Sequence, residues 1–95
     1  FYDTIDLNAE FITFEENNKK DVSAFPNPAK DFINIQYKDI IRINIYNLQG
    51  HLVLRQDYNY KNKVHLDLSS LENSIYIMEV ITADKTISKL ISIIK

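Results

Sequence analysis

The sequence predicts an all-β domain, an immunoglobulin-like antiparallel β-sandwich of about seven strands. Three observations carry that expectation. β-Branched and aromatic residues recur in short bursts that alternate with polar residues, as in strands with one face in a core and one in water. Helical periodicity is almost absent. The bursts are short and closely spaced, which favours two packed sheets over an open sheet with one apolar face left wet.

From Phe32 to Tyr37, alternation puts Ile33, Ile35 and Tyr37 on one face and Asn34 and Gln36 on the other. The next burst turns Ile41, Ile43 and Ile45 inward against Arg42, Asn44 and Tyr46, then meets Asn47-Leu48-Gln49-Gly50 before Leu52 to Leu54 resume the pattern. This predicts a β-hairpin. Gly50 is the only glycine in the chain, and it stands where a short hairpin loop calls for positive φ.

Tyr58 to Asn62 reads as a polar turn, after which Val64, Leu66 and Leu68 alternate with Lys63, His65 and Asp67 into a tight Ser69-Ser70-Leu71 corner. Ser74 to Ile81 is apolar on both faces, with Tyr76, Met78 and Val80 on one and Ile75, Ile77 and Ile81 on the other. That predicts a central strand covered from two sides. Ala83-Asp84-Lys85 makes a short loop, and Thr86 to Ile94 forms the last strand.

The leading segment differs. Glu10 to Phe14 can make a strand, whereas Glu15 to Asp21 is a charged run typical of a linker. Residues 1–21 are therefore read as a linker or the end of a preceding domain, with residues 1–14 a candidate extra edge strand, and residues 22–95 as the domain proper. A start at Phe1 rather than methionine reads as a piece of a longer chain.

Composition narrows the function. Ninety-five residues, 45% apolar and 25% charged, suit one folded domain rather than two, and argue against a mainly disordered chain. A net charge of −2 with interspersed signs provides no cationic surface for nucleic acid. Cysteine is absent, which removes disulfides, thiolate metal sites and cysteine nucleophiles. The longest apolar run falls well short of the roughly 20 residues that span a bilayer, and no signal-peptide pattern is visible.

Phe25-Pro26-Asn27-Pro28-Ala29 follows the linker; Phe25 and Asn27 each precede a proline and are pushed towards extended conformation while the rings fix a bend. The chain continues through Asp31-Phe32-Ile33-Asn34-Ile35, then the hairpin from Ile43 to Gly50. After these come the corner from Leu66 to Leu71, the strand Ile75 to Ile77, and the terminal run Lys89-Leu90-Ile91-Ser92-Ile93-Ile94-Lys95. This ordered set resembles the type A C-terminal sorting domain of the type IX secretion system of Bacteroidetes. Ser74 departs from the family, which usually has glycine before the "I-Y" strand; Asn73 is a candidate to take up positive φ in its place.

The resemblance implies a non-catalytic signal that directs its parent protein across the outer membrane to the medium or the cell surface, via the periplasm. It implies as partners the type IX translocon, an outer-membrane shuttle protein and a sortase-like peptidase, with an upstream cargo domain on the same chain. Removal of the domain would fall in the segment before the sandwich, from Glu15 to Ser23. Pro26, Asn27, Pro28, Gly50, Lys89, Ile91, Ile93 and Lys95 are the candidate partner-recognition residues, the last four sharing one face of a strand that a receptor could also read by strand addition.

Other chemistry finds little support in the sequence. His51 and His65 lie in different strands without a helix-spaced partner, which argues against a zinc site. Ser69 and Ser70 lack the glycine-flanked elbow of a nucleophile. Asp3, Asp6, Glu10, Glu15 and Glu16 read as a solvated linker rather than a calcium site, and no cofactor is implied. The alternative reading is an immunoglobulin-like adhesion or spacer module that binds carbohydrate, with Tyr58 and Tyr60 as a stacking pair.

Overall fold

A computed structural model describes residues 22–95; the candidate edge strand in residues 1–14 and nearly all of the Glu15 to Ser23 segment lie outside them. The described chain is all-β. Its strands are β1 (Ser23–Phe25), β2 (Phe32–Tyr46), β3 (Leu52–Asp67), β4 (Ser74–Thr82) and β5 (Thr86–Ile93). All pair antiparallel in one five-stranded sheet of order β1-β2-β4-β5, with β3 on the other side of β2.

Among the described residues there are thus five strands in one sheet, not about seven in two. The difference lies in β2 and β3, which run straight through stretches that read as breaks. β2 pairs with β1 through Asn34–Gln36 and with β4 through Ile40–Tyr46, keeping β3 on its opposite edge throughout. Tyr58 to Asn62, expected as a turn, is part of β3 because β2 pairs alongside it. Both long strands bend where a non-glycine residue takes positive φ, Asp39 at 55° and Tyr60 at 53°. Asn62 holds the first bend by accepting a hydrogen bond from the Asp39 N–H at 3.0 Å.

These bends curl the sheet. The segment just after β1 meets the far strand, with Ala29 making an isolated parallel bridge to Ile93. The inside of the curl is the core: Ile33 and Ile35 before the β2 bend, Ile43 and Ile45 after it, Val64 and Leu66 from β3, Tyr76, Met78 and Val80 from β4, and Ile91 and Ile93 from β5. Burying an isoleucine this fully contributes about 1.5 to 3 kcal/mol, so a row of them outweighs the poor strand propensity of the polar stretches between.

Two expected faces change. Ile40, not Ile41, is buried, because positive φ at Asp39 and a register shift between Ile40 and Arg42 move the alternation out of phase. β4 is central, between β2 and β5, but only its Tyr76-Met78-Val80 face is sealed; Ile75 on the other face is 48% exposed. At the corner before β4 neither Asn73 nor Ser74 has positive φ, so serine carries no left-handed strain there. Asn73 instead accepts the backbone N–H of Lys95 at 3.0 Å.

Candidate functional site

The Pro26-Asn27-Pro28 corner lies against the outer edge of β5. Both Phe25-Pro26 and Asn27-Pro28 peptide bonds are cis. The Asn27 carboxamide behaves as a side-chain substitute for a neighbouring strand. Its Oδ1 accepts the Ser92 N–H at 3.1 Å and the Ser92 hydroxyl at 3.4 Å, and its Nδ2 donates to the Leu90 carbonyl at 3.4 Å. Ala29 continues the pairing with its main chain, donating to Ser92 O and accepting from Ile94 N, both at 2.8 Å. Pro26 and Pro28 have no N–H to leave unpaired, so a corner of this composition can cap an edge without exposing donors of its own.

The terminal run is held at its other side by Lys95. Its Nζ donates to the carbonyl of Ser69 at 3.0 Å and of Leu68 at 3.4 Å, while its N–H is held by Asn73. The corner that receives it is itself ordered: Asp67 accepts the Ser69 N–H at 2.9 Å, and Leu71 N donates to Leu68 O at 3.0 Å. The Ser69 N–H beside Asp67 is the main reason its carboxyl sits below the usual carboxylate range, with His65 and Lys95 adding weaker attraction.

Gly50 lies in the β2–β3 hairpin at φ 88°. The turn closes through Gly50 N to Asn47 O and Asn47 N to His51 O, both 3.0 Å, and Asn47 Oδ1 gathers the N–H groups of Gln49 and His51. An open groove separates this turn from the corner, with Asn47 and Gln49 on one side and Glu72 and Asn73 on the other. The hairpin turn, the corner and Lys95 thus gather at one end of the sheet, while Asn27 grips β5 along its flank.

The strand candidates divide. Ile91 and Ile93 are each 1% exposed and belong to the core, so their side chains are out of reach of a docking surface. Lys89 is half-buried. The outward residues of this run are Leu90 and Ile94, and these, with Ser92, Ala29 and Asn73, are what sequence reasoning missed. Only an asparagine between two prolines hinted at them, since its carboxamide is a peptide mimic with a fixed position.

Elsewhere, His65 stacks on Phe32 with ring centroids 4.7 Å apart, and its Nδ1 lies 2.9 Å from Asn34 Oδ1. Among the described residues no group of three or more His, Asp or Glu side chains is placed to hold a metal, and no helix is long and apolar enough to cross a membrane. Tyr58 packs against the core while Tyr60 is 60% exposed, so the two do not form the paired stacking platform that carbohydrate binding would use.

Fold and site define a small β-domain with two ordered features, a clamped Pro-Asn-Pro corner and a latched terminal strand. Residues 23–95 match the model of the secretion system C-terminal sorting domain, and the chain belongs to that family. It is a non-catalytic sorting signal of type IX secretion, which implies export across the outer membrane. The chain is also 34% identical over 80 residues to a protein of the Bacteroidetes organism Zobellia galactanivorans described as beta-agarase D, covering 84% of this chain and 16% of that one. It therefore spans about a sixth of the curated relative it matches.

Proposed function

We propose that this domain is read by the type IX translocon and an outer-membrane shuttle protein, that it arrives through the periplasm on an upstream cargo domain, and that a sortase-like peptidase then removes it between Glu15 and Ser23 and attaches the cargo to the cell surface. The observation that supports this best is the contact of Asn27 with Leu90 and Ser92. It makes the Pro-Asn-Pro corner and the terminal strand one rigid surface, although the two are far apart in sequence. A receptor that reads such a composite surface recognises the folded domain and passes over the same sequence when it is unfolded.

The experiment is secretion of a fluorescent protein carrying an N-terminal export signal and this 95-residue chain at its C-terminus, in a host with a working type IX system and in its translocon-deficient mutant. Release only from the first supports the proposal. Retention of a folded fusion in the periplasm of both strains removes it, and returns the adhesion or spacer reading to first place. Mass spectrometry of the released reporter then locates any cut within residues 15–23.

A further inference from the structure

In a straight sheet of this register, the Pro-Asn-Pro corner could not reach β5. Phe25 of β1 is level with Asn34 of β2, and Leu90 of β5 is level with Tyr46 of β2 through Ile77 of β4. Asn34 and Tyr46 would lie roughly 40 Å apart along a straight strand of about 3.3 Å per residue. Asn27 follows Phe25 by only two residues, a reach of about 7 Å, yet its Nδ2 is 3.4 Å from the Leu90 carbonyl. β2 therefore has to double back between the two levels.

It does so where β2 and β3 carry a matched pair of bulges. Between Gln36 and Ile40, β2 has two residues more than the facing stretch of β3; between Ile40 and Arg42, β3 has two more than β2. The second excess cancels the first, so Arg42 meets Asp57 in the same alignment in which Gln36 meets Lys63. Register is unchanged on either side, and what the bulges leave is a bend. Each bulge holds one of the two non-glycine residues of positive φ among the described residues, Asp39 at 55° and Tyr60 at 53°. Such a φ crowds Cβ against the following carbonyl, and Tyr60, 60% exposed, gains little burial in return. The Asp39 main chain ties the bend on two sides: its N–H donates to Asn62 Oδ1 at 3.0 Å, and its C=O accepts the N–H of Ala83, in the loop between β4 and β5, at 3.1 Å.

We propose that Asp39 and Tyr60 are positioning residues of the sorting signal: their positive φ makes the fold in the β2–β3 ribbon that seats the Pro-Asn-Pro corner on β5, and the surface that is read exists only while both bends are made. Strained conformations of this kind persist where the surrounding pairings over-determine them. The proposal rests on the sorting reading above and goes further by naming residues that lie in neither the corner nor β5.

Valine and glycine separate backbone from side chain at each bend, because β-branched valine resists positive φ and glycine adopts it freely. In the 95-residue chain, Tyr60→Val and Asp39→Val are expected to speed amide exchange at Ser92 and Ile94, which Asn27 and Ala29 hold, at least tenfold relative to Ile43 in the centre of the sheet. The same variants are expected to lower type IX-dependent release of the reporter at least tenfold. Tyr60→Gly and Asp39→Gly should keep both properties at the wild-type level. Tyr60→Ala, a milder change than valine, takes its place if circular dichroism shows a valine variant to be unfolded. Wild-type protection of Ser92 in the folded valine variants overturns the positioning role, as does exchange that rises equally at Ser92 and Ile43, which marks a general loss of stability. Wild-type release from a chain whose Ser92 is selectively exposed overturns it too. Failure of the wild-type reporter itself counts against the sorting reading instead.

Discussion

Asn27 accepts a hydrogen bond from the main-chain N–H of Ser92 at 3.1 Å, across a separation of 65 residues. An exposed pair of this kind contributes about 0.5 to 1.5 kcal/mol, less than one buried isoleucine. Its importance is positional, since it ties the Pro-Asn-Pro corner to the β5 edge. Asn27→Ala is expected to lower stability by about 1 kcal/mol in urea unfolding and to speed amide exchange at Ser92. Asn27→Asp keeps the acceptor but sets a carboxylate against the Leu90 carbonyl, so Ser92 should stay protected; equal exchange in both variants would show the contact is not formed in solution.

Truncation inside the curl should cost far more. Leu66 and Tyr76 are both buried in the core, and Leu66→Ala is expected to destabilise by about 2 to 5 kcal/mol and Tyr76→Ala by about 3 to 5. Tyr76→Phe isolates the hydroxyl, which donates to the Glu72 carbonyl at 2.8 Å, and should cost about 1 kcal/mol. Ile75→Ala, on the exposed face of the same strand, should change little; a loss comparable to Leu66→Ala would mean that this face is covered in solution.

The contrast between Ile75 and Tyr76 also shows where sequence reasoning ends. Strict alternation made Ile33 and Ile35, Val64 to Leu68, and Tyr76 to Val80 legible as core, because only one face of each had somewhere to go. Ile75, Ile77 and Ile81 read as a second buried face, since hydrophobicity records affinity for a core and not whether a layer lies above it. The bends at Asp39 and Tyr60 left no mark because positive φ in a non-glycine is imposed by pairing with a neighbour, and Ile41 was exchanged for Ile40 as a result. In the site, Pro26 to Pro28 and the terminal run stood out separately. Their contact did not, as a 65-residue closure is a property of the whole curl.

Acid should weaken the domain through two aspartates. The Ser69 N–H lowers the Asp67 carboxyl and the Arg42 guanidinium, followed by Arg55, lowers that of Asp57, with Arg42 Nε 2.8 Å from Asp57. A carboxyl whose folded pKa is depressed contributes stability that is complete above its unfolded value, near about 4, and is lost as pH falls through the lower folded value. Melting temperature is therefore expected to be flat from neutral pH down to about 5 and to drop below about 4. Asp67→Asn retains an acceptor for Ser69 and removes the titration, so the double variant with Asp57→Asn should show a shallower acid slope; an unchanged slope would assign acid sensitivity to other groups.

Gly50 separates a structural from a recognition role. A Cβ placed on it meets nothing within 4 Å, so Gly50→Ala carries only the backbone cost of positive φ, roughly 1 kcal/mol. Urea unfolding should register that loss while reporter release is maintained at temperatures where the variant is folded. Loss of release from a stable Gly50→Ala fusion would instead make the open hairpin tip part of the surface a partner reads.

Lys95 poses the same question at the end of the terminal run, and a pair of variants answers it. Its ammonium satisfies the Ser69 and Leu68 carbonyls and its N–H is held by Asn73, so it acts as a latch on the end of β5. If latching is its whole contribution, Lys95→Met and Asn73→Ala should each raise amide exchange at Ile93 and Ile94 and lower stability by about 0.5 to 1.5 kcal/mol. Together they should lose less than the sum, because both release the same segment. Reporter release should then follow stability in all three variants. If a partner reads the charge itself, Lys95→Met should abolish release while Asn73→Ala, equally loosened, is exported; in that case the contact with Ser69 must open on docking, and Lys95→Arg should restore export in part because it keeps the charge on a head group of different shape.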